Sequence, residues 1–99
     1  MQYFESHING TKPVVVDFFA QWCAPCKLMG PVLTEVKEKV GERATVLKMD
    51  IDKNPHYAQL YNIRSVPTLA IFKEGHLVWR KSGVTPAHEI LKHLELVIT

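Results

Sequence analysis

The sequence predicts an α/β domain built on a mixed sheet of four strands, with helices on both faces. Apolar runs suited to strands alternate with apolar stripes at helical spacing, in the order α-β-α-β-α-β-β-α. The strand–helix–strand alternation favours parallel central strands. The chain has 99 residues, 46% of them hydrophobic, so we expect one domain over residues 1–99 with a core of its own.

The first two elements are a short helix and a buried strand. Residues 2–9 carry Tyr3, Phe4 and Ile8 at helical spacing, with Gly10 as the stop. Residues 13–20 form a nearly continuous β-branched and aromatic run, which is typical of a strand buried on both faces.

A longer helix and a second strand follow the only two cysteines. Apolar residues recur at helical spacing from Leu28 to Val40, and Gly41 ends this helix. Pro31 lies inside the pattern and predicts a kink. Residues 45–51 have the composition of a strand.

The second half predicts two helices with the same opening. Asn54 precedes Pro55, and Thr85 precedes Pro86, so each pair resembles an N-cap residue followed by proline at the first helical position. The last helix carries an apolar stripe that extends from Ile90 to Ile98.

A hairpin lies between these two helices. Residues 68–73 and 76–81 predict its strands, and Glu74-Gly75 predicts its turn. With the two earlier strands this makes four, and a fifth strand is the alternative if the amino-terminal segment supplies one.

Charge and hydropathy exclude several classes of protein. The net charge is +2, with 12 basic and 10 acidic residues and no run of Lys or Arg, so no nucleic-acid partner is expected. The apolar runs are too short to span a membrane. Residues 1–10 lack the pattern of a signal peptide, which favours the cytoplasm, although an exported domain with a new start Met would look the same.

The two cysteines, Cys23 and Cys26, lie where a buried strand ends and a helix begins. The first helical turn offers unpaired N–H groups and the positive end of the helix dipole, which stabilise an anion such as a thiolate. We expect Cys23 to be the exposed member at the mouth of the turn, with Cys26 one turn further in. Pro25 is tolerated there because first-turn N–H groups have no partner in the helix.

Three interpretations of this pair compete with dithiol–disulfide exchange. A zinc site would need further ligands, and His88 and His93 lie about sixty residues beyond Cys26, so we expect no metal. A structural disulfide across three positions would close too small a loop to stabilise the fold much. Two unreactive core cysteines are the third possibility.

The segment FFAQWCAPCKLMGPVLTEV resembles the active-site segment of the thioredoxin family. The resemblance continues through VLKMDIDKNP, NIRSVPTLAIFKEG and Ser82-Gly83-Val84, and covers about ninety residues. It implies the thioredoxin fold and a protein-disulfide reductase in which Cys23 attacks the substrate and Cys26 resolves the mixed disulfide. Ala24 stands where the family usually has Gly, Phe19 where Trp is common, and the family's first strand is missing or reduced.

The resemblance also implies roles for two charged residues. Asp17 would be a buried acid that accepts the proton of Cys26, with a raised pKa. From the residues alone, a carboxylate in VVVDFFA is equally consistent with an exposed strand position. Lys48 would lie near that acid, and its alternative is a side chain that extends to solvent.

Further residues would form the substrate surface. Pro67 would be a cis-proline that faces the disulfide, although base rates alone favour trans. Val66 would offer main-chain hydrogen bonds to an extended substrate. The apolar docking surface implied by the resemblance consists of Trp22, Ala24, Pro25, Val66, Gly83 and Val84.

The partners implied by the resemblance are a thioredoxin reductase, with NADPH as the distant electron source, and disulfide-containing client proteins. No bound cofactor, no membrane and a monomeric state are expected. Two alternatives remain at this point. One is an exported thioredoxin-like protein that oxidises or isomerises disulfides, and the other is a binding subunit that does not use its thiols.

Overall fold

The chain is described from a computed structural model, which covers residues 2–98 and, of their side chains, those from Phe4 onward. The predicted place of Tyr3 on the apolar face of the first helix lies outside these side chains. The elements are α1 (Gln2–Ile8), β1 (Val14–Phe19), a 3₁₀ helix (Pro25–Leu28), α2 (Met29–Val40), a 3₁₀ turn (Gly41–Arg43), β2 (Thr45–Asp50), α3 (Pro55–Leu60), β3 (Thr68–Lys73), β4 (His76–Ser82) and α4 (Ala87–Glu95).

Within residues 2–98 the sheet has four strands in the order β2-β1-β3-β4. β1 pairs with β2 in parallel, and β3 is antiparallel to both β1 and β4. The mixed four-stranded sheet is therefore confirmed. The expectation of parallel central strands is wrong, because β3 lies beside β1 and leaves the parallel partner β2 at the edge.

Helices cover both faces of this sheet, and the alternation along β1 assigns its residues to them. Val14, Val16 and Phe18 are buried with residues of α1 and α3, whereas Val15 is buried with residues of α2 and α4. Because side chains alternate along a strand, Asp17 faces the same side as Val15. Both faces of β1 are therefore core, as its continuous apolar run predicts.

One of the two predicted helix openings is confirmed, and the other is displaced by one residue. Asn54 is the N-cap residue of α3 and Pro55 is the first helical residue, as predicted, but the Asn54 side chain makes no capping hydrogen bond. Its Nδ2 instead donates to the Asp50 carbonyl at 3.0 Å. Thr85 is buried, and its hydroxyl donates to the Gly83 carbonyl at 3.0 Å. The N-cap position of α4 is taken by Pro86 instead. Each side chain is used to hold the loop that precedes its helix.

The structure also differs from the sequence-based prediction at Pro31 in α2 and at the end of α4. Pro31 lies in the first turn of α2, where no interior hydrogen bond is lost, and the change from 3₁₀ to α geometry falls just before it, at Met29. α4 ends at Glu95, before the predicted stripe does. Val97 and Ile98 still pack on the core beside α2 and α4.

Candidate active site

Cys23 and Cys26 form a disulfide at the junction of β1 and the 3₁₀ helix, with their Cα atoms 5.4 Å apart. The turn that leads into them is closed by the Cys23 N–H, which donates to the Ala20 carbonyl at 3.2 Å. The Cys26 N–H donates to Cys23 Sγ at 3.2 Å. A main-chain donor thus already points at the sulfur of Cys23, as a site that stabilises a thiolate requires.

The exposure of the two sulfur-bearing residues differs from the sequence-based expectation. Cys23 is 4% exposed and Cys26 is 6% exposed, so in this disulfide form Cys23 is not the more accessible residue. Both pack with Ala20 in a small cluster that Phe19, Ile51 and Val66 cover. The predicted asymmetry ignored these covering residues, two of which, Ile51 and Val66, come from other segments of the chain.

Asp17 is completely buried on the α2–α4 side of β1. Neither carboxylate oxygen has a hydrogen-bond partner among the described residues. Burial raises the pKa of Asp17 to about 6, and the positive charge of Lys48 opposes part of that rise. The structure therefore decides between the two sequence-based interpretations in favour of the buried acid.

Lys48 is the register partner of Asp17 in the parallel β1–β2 pair. Its side chain is exposed, and its Nζ lies 5.0 Å from the centre of the Phe19 ring. A cation over an aromatic face is held electrostatically in this position. Both sequence-based interpretations of Lys48 are therefore partly correct. Its ammonium group reaches solvent, and its charge still lowers the pKa of Asp17 from a distance.

The Val66–Pro67 peptide bond is cis, as the resemblance implies. Val66 packs against the cysteine cluster, and its main-chain N–H and C=O make no hydrogen bond within residues 2–98. The Gly83 N–H donates to the Pro67 carbonyl at 2.8 Å, and Gly83 has a φ of 95°, which favours glycine. The loop before β3 and the loop after β4 are thereby joined beside the disulfide.

Most of the predicted docking residues lie at the surface. Trp22 is 71% exposed, and Ala24, Pro25 and Val84 are also exposed, whereas Val66 and Gly83 are half-buried. Leu28, at the end of the 3₁₀ helix, is an exposed apolar residue that sequence reasoning did not assign to this surface.

Sequence reasoning also missed two acidic residues that hold the loop around Trp22. The Trp22 indole Nε1 donates to Asp52 Oδ2 at 2.8 Å. Asp50 accepts from the N–H groups of Asp52 and Lys53, at 2.9 and 3.3 Å, and from the Gln21 amide at 3.4 Å. Burial raises the pKa of Asp50, but these hydrogen bonds and the nearby Lys53 outweigh it, so the net pKa is lowered.

A signal for these contacts is present in the sequence. β1 and β2 are predicted as strands joined by a crossover helix, and parallel strands end at the same edge of a sheet. The acidic residues of MDIDKNP and the residues QWC both follow the ends of those strands.

The thioredoxin family model matches residues 1–96. The chain belongs to the thioredoxin family. It is 42% identical to a thioredoxin-like protein of Synechocystis over 96 residues, which cover 97% of this chain and 91% of that protein. It is 41% identical over 95 residues to a thioredoxin of Alicyclobacillus acidocaldarius, covering 96% of this chain and 90% of the relative.

Two further comparisons bear on size and fold. The chain is 44% identical to chloroplastic thioredoxin Y2 of Arabidopsis thaliana over 88% of its own length, and it spans about half (52%) of that relative. A mutant thioredoxin from Halobacterium salinarum superposes with a TM-score of 0.90 at 29% identity, covering 100% of this chain and 86% of that structure. The thioredoxin fold and the family are thus established independently.

Family membership and the Cys23–Cys26 pair together make this chain a thiol–disulfide oxidoreductase, of the protein-disulfide reductase type. Thioredoxins work without a bound cofactor, and residues 2–98 contain no group of three or more His, Cys, Asp or Glu that could hold a metal ion. In the same part of the chain no helix has both the length and the apolar character needed to cross a bilayer.

Proposed function

We propose that this chain reduces disulfides of protein clients, with Cys23 as the attacking residue and Cys26 as the resolving residue. The observation that carries the proposal is the hydrogen bond from the Cys26 N–H to Cys23 Sγ, at 3.2 Å. This donor stabilises negative charge on Cys23, so the nucleophilic thiolate is more populated on Cys23 than on Cys26. Cys23 also lies next to the exposed Trp22, where a client would arrive.

The reaction has two exchange steps. The Cys23 thiolate attacks one sulfur of the client disulfide, the client S–S bond breaks, and the first client thiolate leaves. The Cys26 thiolate then attacks Cys23 Sγ in the mixed disulfide, which forms the Cys23–Cys26 bond and releases the second client thiolate. The client disulfide gains two electrons, and the protein dithiol loses them.

Asp17 is proposed to accept the proton of Cys26 in the second step. Cys26 is almost completely buried, so its thiol needs a nearby base before it can attack. The raised pKa of Asp17, about 6, supports this role because a base works best when its pKa lies near the working pH. Lys48 would tune that base, since its charge lowers the pKa that burial raises.

Client binding is proposed to combine an apolar patch with strand addition. Trp22, Ala24, Pro25 and Val84 are exposed around the disulfide. The main chain of Val66 makes no hydrogen bond within residues 2–98, so its N–H and C=O can pair with an extended client segment. Pro67 and Gly83 would hold Val66 in place through the 2.8 Å hydrogen bond that joins them.

The oxidised protein would be returned to the dithiol by a thioredoxin reductase, with NADPH as the electron source. We propose a monomer that works in the cytoplasm. A midpoint potential near that of thioredoxin, about −270 mV, would fit a reductase, whereas a potential near −120 mV would favour the exported oxidase.

The test is a comparison of two single variants on a protein disulfide such as that of insulin. Cys26→Ser should trap a mixed disulfide at residue 23, detectable by mass spectrometry, because the resolving thiol is gone. Cys23→Ser should trap much less and reduce no insulin. A mixed disulfide that accumulates on Cys26 of the Cys23→Ser variant instead would reverse the two roles.

A further inference from the structure

A cleft of about 260 Å³ opens directly beside the disulfide. Its lining includes both cysteines and Phe19, Gln21, Lys27 and Lys48. Sites that enclose a whole drug-sized ligand are larger, from about 300 to 1,000 Å³. A cleft of this size fits one arm of a substrate whose disulfide lies over Cys23.

The cleft is lined by two positive charges and by no acidic residue of the described chain. Within residues 2–98 neither Lys27 nor Lys48 has a carboxylate oxygen within 4.0 Å of its ammonium nitrogen. Both side chains are exposed, so a ligand can reach them.

The nearby acids are already occupied or inaccessible. Asp50 accepts hydrogen bonds from two main-chain N–H groups and from Gln21, and Asp52 accepts one from Trp22. Asp17 attracts Lys48 but is completely buried beneath the sheet surface, where it cannot cover the ammonium group. The two lysines therefore face the cleft without a neutralising partner.

We infer that this cleft binds a carboxylate carried by the substrate next to its disulfide, with Lys27 and Lys48 as the residues that determine this specificity. The inference rests on the proposed disulfide reduction and names the substrates that it favours. The carboxylate belongs either to a small disulfide or to an acidic residue beside a cystine of a client protein. Once Cys23 has attacked, the same contact holds the arm of the mixed disulfide until Cys26 displaces its sulfur.

The test uses three small disulfides that differ in charge: dithiodipropionate (an anion), hydroxyethyl disulfide (neutral) and cystamine (a cation). Each rate with the reduced protein is divided by the rate with the neutral compound, which cancels any change in the reactivity of Cys23 itself. Lys27→Gln should lower the anion-to-neutral ratio by about threefold to tenfold, as expected for loss of a charge at close range. The double variant Lys27→Gln, Lys48→Gln should lower it further and raise the relative rate of cystamine.

Lys92→Gln is the matched control, because Lys92 lies on α4, is exposed and does not line the cleft. At about 0.15 M salt, charges separated by more than about 8 Å are screened, so this variant should keep the wild-type ratio. An equal effect of Lys27→Gln and Lys92→Gln would mean that only net charge matters, and it would overturn the inference.

A second pair of substrates separates the two sources of the carboxylate. Peptide disulfides with Asp or Asn beside the cysteine are compared in the same way. A Lys27-dependent preference for the Asp peptide alone assigns the carboxylate to protein clients, and a preference that includes dithiodipropionate shows that a small disulfide suffices. No preference in either pair would sink the inference, while turnover of neutral hydroxyethyl disulfide would still support the proposed reductase.

Discussion

Asp17 and Lys48 face each other across the parallel β1–β2 pair, yet no ion pair within 4.0 Å joins them. The Lys48 ammonium lies over the Phe19 ring, and the carboxylate oxygens of Asp17 have no hydrogen-bond partner in the described chain. The charge of Asp17 is therefore stabilised only from a distance. An acid in this situation reduces the stability of the fold whenever it is ionised.

Replacing Asp17 with Asn should raise the free energy of unfolding near pH 8. The folded-state pKa of about 6 exceeds the ordinary value of 3.8, so the cost of ionising Asp17 appears above the ordinary value and is complete above the folded one. The gap corresponds to at most about 3 kcal/mol, and an unpartnered Asn amide removes part of the gain, so we expect about 1–2 kcal/mol. Urea melts near pH 8 and near pH 4 should show this advantage and its loss in acid.

The same variant tests the proposed proton acceptor separately. Asp17→Asn should slow single-turnover insulin reduction near pH 7, because the amide cannot take the Cys26 proton. A variant that is more stable but equally fast would remove Asp17 from the mechanism and leave the stability argument intact. A variant that is less stable near pH 8 would contradict the burial argument itself.

Asp50→Asn should have the opposite effect on stability. Hydrogen bonds from Asp52, Lys53 and Gln21 outweigh burial and lower the pKa of Asp50, so its ionised form stabilises the fold. This contribution is present above the ordinary carboxyl pKa and is lost as the pH falls through the folded-state value. Urea melts should show a less stable variant near pH 7 and convergence with the wild type in strong acid. Equal stability near pH 7 would mean that these hydrogen bonds contribute nothing net.

The hydrogen bond between Trp22 and Asp52 should position the indole for client docking. Asp52→Ala should lower kcat/KM for a protein disulfide by about twofold to tenfold, the range expected for one hydrogen bond, while Asp52→Asn keeps an acceptor and most of the activity. In a Trp22→Phe background, which lacks the indole N–H, Asp52→Ala should have no further effect. A full additive loss in that background would show that Asp52 acts through something other than Trp22.

Much of the fold could be predicted because its signals are local. The apolar run of β1 and the helical stripes of α2 and α4 are each read within one segment. The place of β2 at the edge could not be predicted, since it depends on β3 pairing with β1 across the chain. The burial of Asp17 was left open because a carboxylate is rarely buried without a partner, even though the apolar run of β1 predicts that both of its faces are covered.

Only part of the candidate site could be predicted from the sequence. The cysteine pair and the residues beside it were identified through the family motif, whereas the contacts of Asp52 and Arg80 were missed. Asp52 binds a residue 30 positions away, and Arg80 binds carbonyls 18 and 19 positions away. No spacing rule connects such residues. Neither Asn54, which is the predicted N-cap residue, nor Thr85, which is not, makes a side-chain cap, because a short polar side chain can equally bond to the loop before the helix.

Reduced Cys23 should react with iodoacetamide at least about tenfold faster than Cys26 near pH 7. Its sulfur accepts the Cys26 N–H, which favours the thiolate, although both residues are buried in the disulfide form. Brief labelling followed by mass mapping measures the two rates. Preferential labelling of Cys26 would reverse the assignment of nucleophile and resolving residue.

Arg80 should hold the loop that carries Val66 and Pro67. Its guanidinium donates to the Tyr61 carbonyl at 2.6 Å and to the Asn62 carbonyl at 3.3 Å, just beyond the end of α3. Asn62 has a φ of 56°, so the chain turns sharply there before it runs on to Val66. Arg80→Gln removes the two-pronged donor and should raise KM for a protein disulfide by about twofold to fivefold. The rate with neutral hydroxyethyl disulfide, which needs little docking surface, should stay near that of the wild type.

Arg64→Gln is the matched control, because Arg64 is an exposed arginine of the same loop with no hydrogen bond or ion pair within residues 2–98. If both variants raise KM equally, the positive charge of the loop accounts for the effect. If neither does, Arg80 does not position the loop.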